Sequence, residues 1–191
     1  GVTYPKVLRT VLRQDPDKIL VGEVLDRETA QVAVEASLTG HTVFATVHTN
    51  DAPSAITRLV DLGLEPFLIT ATLEAVVAQR LVRRVCLKCK TTYQPDEDLL
   101  REFGADAAVL RGATLAYGKG CEECFHSGYR GRTALCEIMR IDAGLRRAIL
   151  ENSSTAEVRE RARQNGMRTL RESGLRAVLA CVTSLEEVRR E

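Results

Sequence analysis

Two short β-like runs flank an Ala-rich segment and set the expected fold class: Lys18–Val24 (KILVGEV), Arg27–Leu38 (RETAQVAVEASL) and His41–Thr49 (HTVFATVHT). The outer runs are rich in Val, Ile and Thr, which favours buried β-strands, whereas the middle segment has a helical composition. Gly40 stands where a helix would end in a left-handed residue. A strand–helix–strand order is typical of a mostly parallel sheet covered by helices, so we expect an α/β fold.

Helices are expected on both sides of this segment. Val7–Gln14 carries apolar residues at helical spacing. Asp51 predicts an N-cap for a helix from about residue 52 to 62, closed by Gly63. Residues 67–85 are predicted to form one long helix.

The chain divides into three predicted regions, residues 1–85, 86–133 and 134–191. The first carries the alternating strands and helices, the second is loop-rich and contains four cysteines, and the third is expected to be helical. Two S-x-x-E capping boxes support helices in the third region, Ser154 with Glu157 and Ser184 with Glu187.

Composition excludes several classes of protein. The 191 residues contain 27 Lys and Arg against 26 Asp and Glu, a formal charge of +1 that argues against general nucleic-acid binding. No apolar run has the length of a membrane helix, and the N-terminus has no export signal, so a cytoplasmic location with reduced cysteines is expected. The chain does not begin with Met, so we expect it to be processed or part of a longer protein.

Four cysteines have the spacing of a metal site. Cys86 and Cys89 form one C-x-x-C pair, and Cys121 and Cys124 form another, with 31 residues between the pairs. Two such pairs supply the tetrahedral sulfur shell of structural Zn²⁺. A redox dithiol, which needs only one pair, and unconnected buried thiols are the alternatives. Four thiolates leave no open position on the metal, so no metal catalysis is expected here.

Polar residues follow both predicted strands. Glu23 ends the first, and Thr46 and His48 lie near the end of the second. Ligands bind at the carboxyl ends of parallel strands, where an acid can orient a water or Mg²⁺ beside a phosphate. Taken singly, such residues more often have ordinary roles: Glu23 as a surface acid, His48 as a structural histidine and Asp51 as a helix cap.

Four long motifs together resemble the secretion ATPases, a family that also includes pilus-assembly ATPases. They are QDPDKILVGEV, TGHTVFATVHTNDAPSAITRL, AQRLVRRVCLKCK and GCEECFHSGYRGRTALCEI, and GMRTLRESGLRAVL fits the same family. The resemblance covers nearly the whole chain. It is most similar to the type II secretion ATPases, with the type IV pilus extension ATPases as close relatives.

The resemblance implies a fold, roles and partners. The fold would be part of a RecA-like P-loop ATPase core, with a tetracysteine zinc subdomain and a C-terminal helical subdomain. Glu23 would be the Walker B glutamate that activates water, within a segment formed by Asp17, Ile19, Leu20, Val21 and Gly22. His41, Thr46 and His48 would bind nucleotide, His48 by contacting the terminal phosphate. The full-length protein would be a hexamer that uses Mg²⁺ and ATP. Its partners would be the inner-membrane platform and cytoplasmic-domain proteins of a secretion system, which would hold it at the membrane.

Two features depart from the family pattern. The chain has no G-x-x-x-x-G-K-[ST] phosphate-binding loop, and Gly118-Lys119-Gly120 lacks its context. We therefore expect a C-terminal fragment of the motor domain that is inactive alone. Leu25 stands where the family usually has Arg, which would remove any ion pair or subunit contact made by that Arg.

A zinc-stabilised interaction module without enzymatic activity is the rival hypothesis. Its basis is a run of basic residues that could contact nucleic acid or acidic lipid, namely Arg80, Arg83, Arg84, Lys88 and Lys90. The balanced total charge instead favours a solvated helix face, with no nucleic-acid partner.

Overall fold

The computed structural model describes residues 4–190, in which helices alternate with short strands, as expected for an α/β chain. The helices are α1 (Tyr4–Leu12), α2 (Arg27–Leu38), α3 (Ala52–Asp61), α4 (Pro66–Thr72), α5 (Glu97–Phe103), α6 (Ala107–Leu110), α7 (Ala143–Leu150), α8 (Thr155–Gln164), α9 (Leu170–Leu179) and α10 (Leu185–Arg190). The strands are β1 (Lys18–Val21), β2 (Thr42–Ala45), β3 (Ala75–Val85), β4 (Lys90–Tyr93), β5 (Leu115–Gly118) and β6 (Tyr129–Arg140). None of the helices among these residues is long and apolar enough to cross a membrane.

The chain forms two compact units. Unit 1 contains the chain up to Ala78 together with Ile138–Met167, and unit 2 contains Gln79–Glu137 together with the chain from Arg168 onward. The boundaries fall within β3 and β6, which pair with each other. The three regions predicted from the sequence are continuous segments, whereas each unit combines two separate segments. The three-region division stays a prediction.

The central strand–helix–strand segment of unit 1 forms in the predicted order, but β2 is largely exposed and not buried as expected. β1 and β2 are parallel, with Ile19 opposite Val43 and Leu20 opposite Phe44. α2 has the predicted bounds, and Asp26 caps it by accepting a hydrogen bond from the Thr29 N–H at 2.8 Å. The expectation of a fully buried first strand holds for only one face: Ile19 and Val21 are buried, whereas Leu20 is 75% exposed.

The predicted long helix over residues 67–85 is wrong. α4 ends at Thr72, and β3 begins at Ala75. Val76, Val77, Val82 and Val85 lie in the second half of this segment, and β-branched residues lose rotamer freedom in a helix but pack well on a sheet. Arg80, Arg83 and Arg84 therefore lie on strand β3, and Lys88 and Lys90 follow it. The basic run is not the helix face expected from the sequence.

Unit 2 is built around an apolar cluster between its helices and β5. The buried members are Leu100, Phe103, Leu110, Leu115, Leu175, Val178 and Leu185. β4 and β5 form an antiparallel pair in the loop-rich region. The third region, predicted to be helical, opens with the end of strand β6 before its helices begin.

A buried carboxylate joins α10 to β3 within unit 2. The side chain of Glu187 is 0% exposed, accepts hydrogen bonds from the backbone N–H and guanidinium of Arg83, and forms an ion pair with Arg190 at 2.8 Å. Arg83 also lies over the Tyr129 ring, 4.1 Å from its centroid. The capping box predicted at Ser184 is therefore half correct, because Ser184 accepts from the Glu187 N–H while the Glu187 carboxylate binds arginine instead. The box at Ser154 and Glu157 is confirmed.

Candidate functional site

The carboxyl ends of β1 and β2 stay paired beyond the strands themselves. The Val24 N–H donates to the Thr46 carbonyl oxygen at 2.9 Å, and the Thr46 hydroxyl donates to the Gly22 carbonyl oxygen. Parallel pairing places both strand ends on one side of unit 1. The residues that follow the strands, Glu23 and His48, are brought together as a result.

Glu23 and His48 form the central contact of this site. The distance between Glu23 Oε1 and His48 Nε2 is 2.7 Å. An imidazole with a proton on Nε2, whether neutral or charged, donates a hydrogen bond to the carboxylate at this distance. The Glu23 side chain is 32% exposed and that of His48 is 86% exposed. A partly shielded carboxylate held by an accessible imidazole can accept a proton from a water that reaches it from solvent.

His41 and Asp17 lie at the other end of the strands. The His41 Nδ1 is 3.0 Å from the Ala36 carbonyl oxygen and 3.0 Å from the Thr39 hydroxyl, at the end of α2. The Asp17 carbonyl accepts from the Thr42 N–H at 3.2 Å where β2 begins. The four-residue β2 separates these groups from Glu23 by roughly 13 Å, at about 3.3 Å per residue, so His41 lies apart from the Glu23–His48 pair and its nucleotide contact stays a prediction.

An arginine absent from the sequence prediction supports the His48 segment. Asp51 caps α3 by accepting from the Ser54 N–H at 2.9 Å, which confirms the predicted cap. Its other carboxylate oxygen accepts from Arg159 of α8 at 2.5 Å. Because 108 residues separate Asp51 from Arg159, no local pattern could have indicated this pair.

The four predicted cysteines come together in unit 2. Their sulfur atoms all lie within 4.8 Å of one another. The separations include 3.9 Å for Cys86 and Cys121, 3.8 Å for Cys89 and Cys124, and 3.7 Å for Cys121 and Cys124. A tetrahedron with metal–sulfur bonds of about 2.3 Å has edges of about 3.8 Å, so four thiolates here could hold a metal ion.

Backbone N–H groups surround the sulfur atoms. Gly120 donates to Cys89 Sγ at 3.3 Å, while Cys121 and Gly128 donate to Cys124 Sγ at 3.2 and 3.3 Å. Burial alone would raise the pKa of Cys124, but these donors and the neighbouring thiols lower it to about 6, whereas burial raises the pKa of Cys89 to about 12. The donors favour the thiolate at Cys124, which is the form that binds a metal.

Glycines allow the two cysteine loops to approach each other closely. A Cβ atom on Gly118 would lie 2.0 Å from the Gly128 carbonyl oxygen, and one on Gly120 would lie 2.7 Å from the His126 carbonyl oxygen. Gly120, Gly128 and Gly131 all have positive φ angles, which glycine adopts readily in tight chain reversals.

Comparison with known proteins identifies the class. The chain belongs to the family described as type II/IV secretion system protein, whose model matches residues 1–190. It is 53% identical over 188 residues to the type IV pilus assembly ATPase PilB of Thermus thermophilus, covering 98% of this chain and 21% of that protein. It is 49% identical over 189 residues to type II secretion system protein E of Pseudomonas aeruginosa, covering 99% of this chain and 37% of that protein. The chain thus spans well under half of these relatives.

Solved structures share the fold. The pilus retraction motor PilT, solved with bound ADP, matches with a TM-score of 0.67 and 23% identity, over 98% of this chain and 43% of that one. The ATPase DotB of Legionella pneumophila matches with a TM-score of 0.65 and 23% identity, over 98% of this chain and 42% of that one. The family predicted from the sequence motifs is confirmed.

Proposed function

We propose that the chain is the C-terminal part of a RecA-like ATPase that uses ATP hydrolysis to assemble a pilus-like filament. The observation that carries the proposal is the 2.7 Å contact between Glu23 and His48 at the carboxyl ends of parallel strands. Ligands of open α/β sheets bind at the carboxyl ends of the strands, which supports a nucleotide there. Membership of a family whose relatives are named ATPases supports the choice of ATP.

Glu23 acts as the general base in this proposal. Its carboxylate accepts the proton of the water that attacks the terminal phosphate, and His48 orients the carboxylate through its Nε2. His48 is exposed enough to contact that phosphate as well. When bound, Mg²⁺ neutralises charge on the phosphate oxygens.

The remaining predicted residues have supporting roles. Thr46 fixes the end of β2 to Gly22 and so sets the position of Glu23. Asp17, Ile19, Leu20 and Val21 form the proposed Walker B segment. His41, which lies between α2 and β2, is proposed to bind nucleotide in the full-length protein, as the family resemblance implies.

The phosphate-binding loop, the subunit ring and the membrane partners belong to the full-length protein. Without a phosphate-binding loop in its sequence, this chain alone is proposed to be inactive. The ring is a hexamer that docks on the inner-membrane platform from the cytoplasm, with other cytoplasmic-domain proteins as partners. Leu25 is exposed, so replacing the usual family Arg affects a surface that a neighbouring subunit would contact.

Type II secretion is the proposed process, and type IV pilus assembly is the alternative. The relatives named for each process have similar identities, 49% and 53%. Complementation of a secretion-deficient strain, compared with a pilus-deficient strain, separates the two.

The cysteine cluster is proposed to be a structural Zn²⁺ site. All four ligand positions are filled by sulfur at separations that fit zinc, and the donor set is the one that structural zinc sites use. The site would hold the loop after β3 against the loop before β6. The rival, a zinc module without enzymatic activity, requires no contact between Glu23 and His48.

The test is Glu23→Gln in the whole native protein, with Glu35→Gln, an exposed acid on α2, as the matched control. ATP turnover should fall by roughly 10²–10⁴ in the first variant while nucleotide binding is retained. The control should keep normal turnover. Equal turnover in both variants, or salt-sensitive DNA binding without ATPase activity, would reject the motor in favour of the zinc module.

A further inference from the structure

Unit 2 contains a cavity that neither the nucleotide site nor the cysteine cluster uses. Its volume is about 380 Å³, within the range of roughly 300–1,000 Å³ typical of binding pockets. The apolar floor is formed by Phe103, Leu135, Leu170, Leu175 and Val188. A floor of this kind accepts one or two large apolar side chains.

The rim of the cavity is mostly cationic. Arg80 of β3, Arg171 of α9 and Arg189 of α10 line it, against the single acid Glu102 of α5. Arg189 Nη1 is 2.6 Å from Glu102, and Arg171 Nε is 2.5 Å from Asp106 beside the cavity. Two of the three arginines are therefore already neutralised.

Arg80 is the exception. Within residues 4–190, its guanidinium donates to the carbonyl oxygen of its own neighbour Gln79, at 3.2 Å, and forms no ion pair. The side chain is partly buried at the cavity, whereas Arg84, four residues further along β3, is exposed. A partly desolvated cation without an anion is a position at which a partner carboxylate gains more than it would on open surface.

The distribution of charge distinguishes between ligand types. A compact dianion such as a phosphate needs converging donors, but Arg171 and Arg189 are each held by a separate carboxylate, Asp106 and Glu102. A protein segment needs only one carboxylate for Arg80 and an apolar side chain for the floor. Buried apolar anchors surrounded by a polar rim are the usual arrangement of protein interfaces.

We propose that this cavity is a docking site for an acidic protein segment that inserts a large apolar side chain beside a carboxylate paired with Arg80. The proposal is independent of ATP hydrolysis. It assigns a role to a basic residue that the nucleotide site does not use. Reading the cavity as a lipid or nucleotide site would require the paired arginines to leave Glu102 and Asp106.

The experiment selects ligands from a phage-displayed library of random short peptides on the whole native protein. The expected winners combine Asp or Glu with Leu, Ile or Phe. A synthetic winner, followed by fluorescence anisotropy, should lose about tenfold in affinity with Arg80→Glu and little with the matched control Arg84→Glu. A peptide with Lys in place of its acid should regain binding to the Arg80→Glu variant.

Two further measurements keep the result interpretable. Leu170→Ala, which truncates an apolar side chain of the cavity floor without changing charge, should also weaken peptide binding. Circular dichroism checks that each variant is folded. Equal loss in Arg80→Glu and Arg84→Glu, or no enrichment of acidic apolar peptides, would overturn the proposal. If phosphatidylglycerol vesicles or ATP displace the peptide from the wild-type protein, and the Arg80→Glu variant binds that competitor more weakly, the proposal is overturned in favour of a lipid or a nucleotide.

Discussion

Arg159 of α8 donates to Asp51, the residue that caps α3, across a distance of 2.5 Å within unit 1. A second contact, 2.8 Å between the hydroxyl groups of Thr57 and Thr155, joins the same two helices. Because Asp51 lies three residues after His48, these contacts fix the end of the segment that carries the imidazole. Helices that follow the cysteine cluster in sequence thus support the candidate nucleotide site.

Substitutions at Asp51 separate its two roles. Asp51→Asn keeps a good helix cap and loses only the ion pair, so the free energy of unfolding should fall by less than about 1 kcal/mol. Asp51→Ala loses both the cap and the ion pair, so it should lower the free energy of unfolding by about 1–2 kcal/mol more than Asp51→Asn does. Denaturant titration of both variants and of Arg159→Gln provides the comparison. Equal values for Asn and Ala would show that the cap contributes nothing.

Acid should remove the contribution of Asp51. Burial alone would raise the pKa of its carboxyl, but hydrogen bonds from Ser54 and the ion pair with Arg159 lower it below its ordinary value of 3.8. A lowered folded-state pKa means that the stabilisation is present above 3.8 and is lost as pH falls through the folded pKa. The stability difference between wild type and Asp51→Asn should therefore shrink on acidification below that value. A difference that stays constant with pH would contradict the ion pair.

Metal content tests the cysteine cluster directly. Protein purified without chelator should contain one zinc per chain by elemental analysis, and Cys121→Ser should reduce that content and lower the melting temperature. Cys136→Ser is the matched control, since Cys136 lies outside the cluster. Full zinc content in Cys121→Ser, or none in the wild type, would remove the site.

The glycines at the cluster should be intolerant of any side chain. Gly118→Ala places a carbon 2.0 Å from the Gly128 carbonyl oxygen, so the backbone must move and zinc retention against a competing chelator should fall. Gly144→Ala in α7 is the control, because its new carbon meets only Asp142 at 3.4 Å and alanine favours helix. We expect the control to be neutral or stabilising by less than about 1 kcal/mol.

Removal of the buried carboxylate should be costly. Glu187→Ala removes a fully buried side chain and its hydrogen bonds but leaves an Arg83 that is 41% exposed, so the free energy of unfolding should fall by about 1–3 kcal/mol. Glu186→Ala, an exposed neighbour on the same helix, should change it by less than about 0.5 kcal/mol. Similar unfolding midpoints for the two variants would show that Glu187 is not structurally important.

Local patterns predicted part of the fold correctly. Asp51, Ser154 and Gly40 mark helix ends through contacts with residues only a few positions away, so their roles could be read from sequence. The C-x-x-C motifs were sufficient for a different reason: two such pairs are a specific metal-site pattern, although 35 positions separate Cys86 from Cys121. The helix predicted over residues 67–85 failed because its apolar residues fit both periods, and pairing with β6 selected the strand.

The missed parts depend on distant residues. Glu187 was interpreted as half of a capping box, yet its carboxylate binds Arg83, 104 positions earlier. Arg159 reaches Asp51 in the same long-range manner. For the site, the family resemblance assigned both His41 and His48 to nucleotide binding; they flank a four-residue strand, and the role of His41 stays a prediction. Such relationships follow from topology, which a single sequence does not specify.

The separation of Arg83 from Glu187 also has a consequence for how the protein is made. At about 5–20 residues per second, the ribosome needs roughly 5–20 s to add the 104 residues between them. Throughout that interval β3 has been synthesised, while the carboxylate that will pair with Arg83 does not yet exist. The nascent chain therefore presents an unfinished strand for seconds, and chaperone dependence should be greatest in that window.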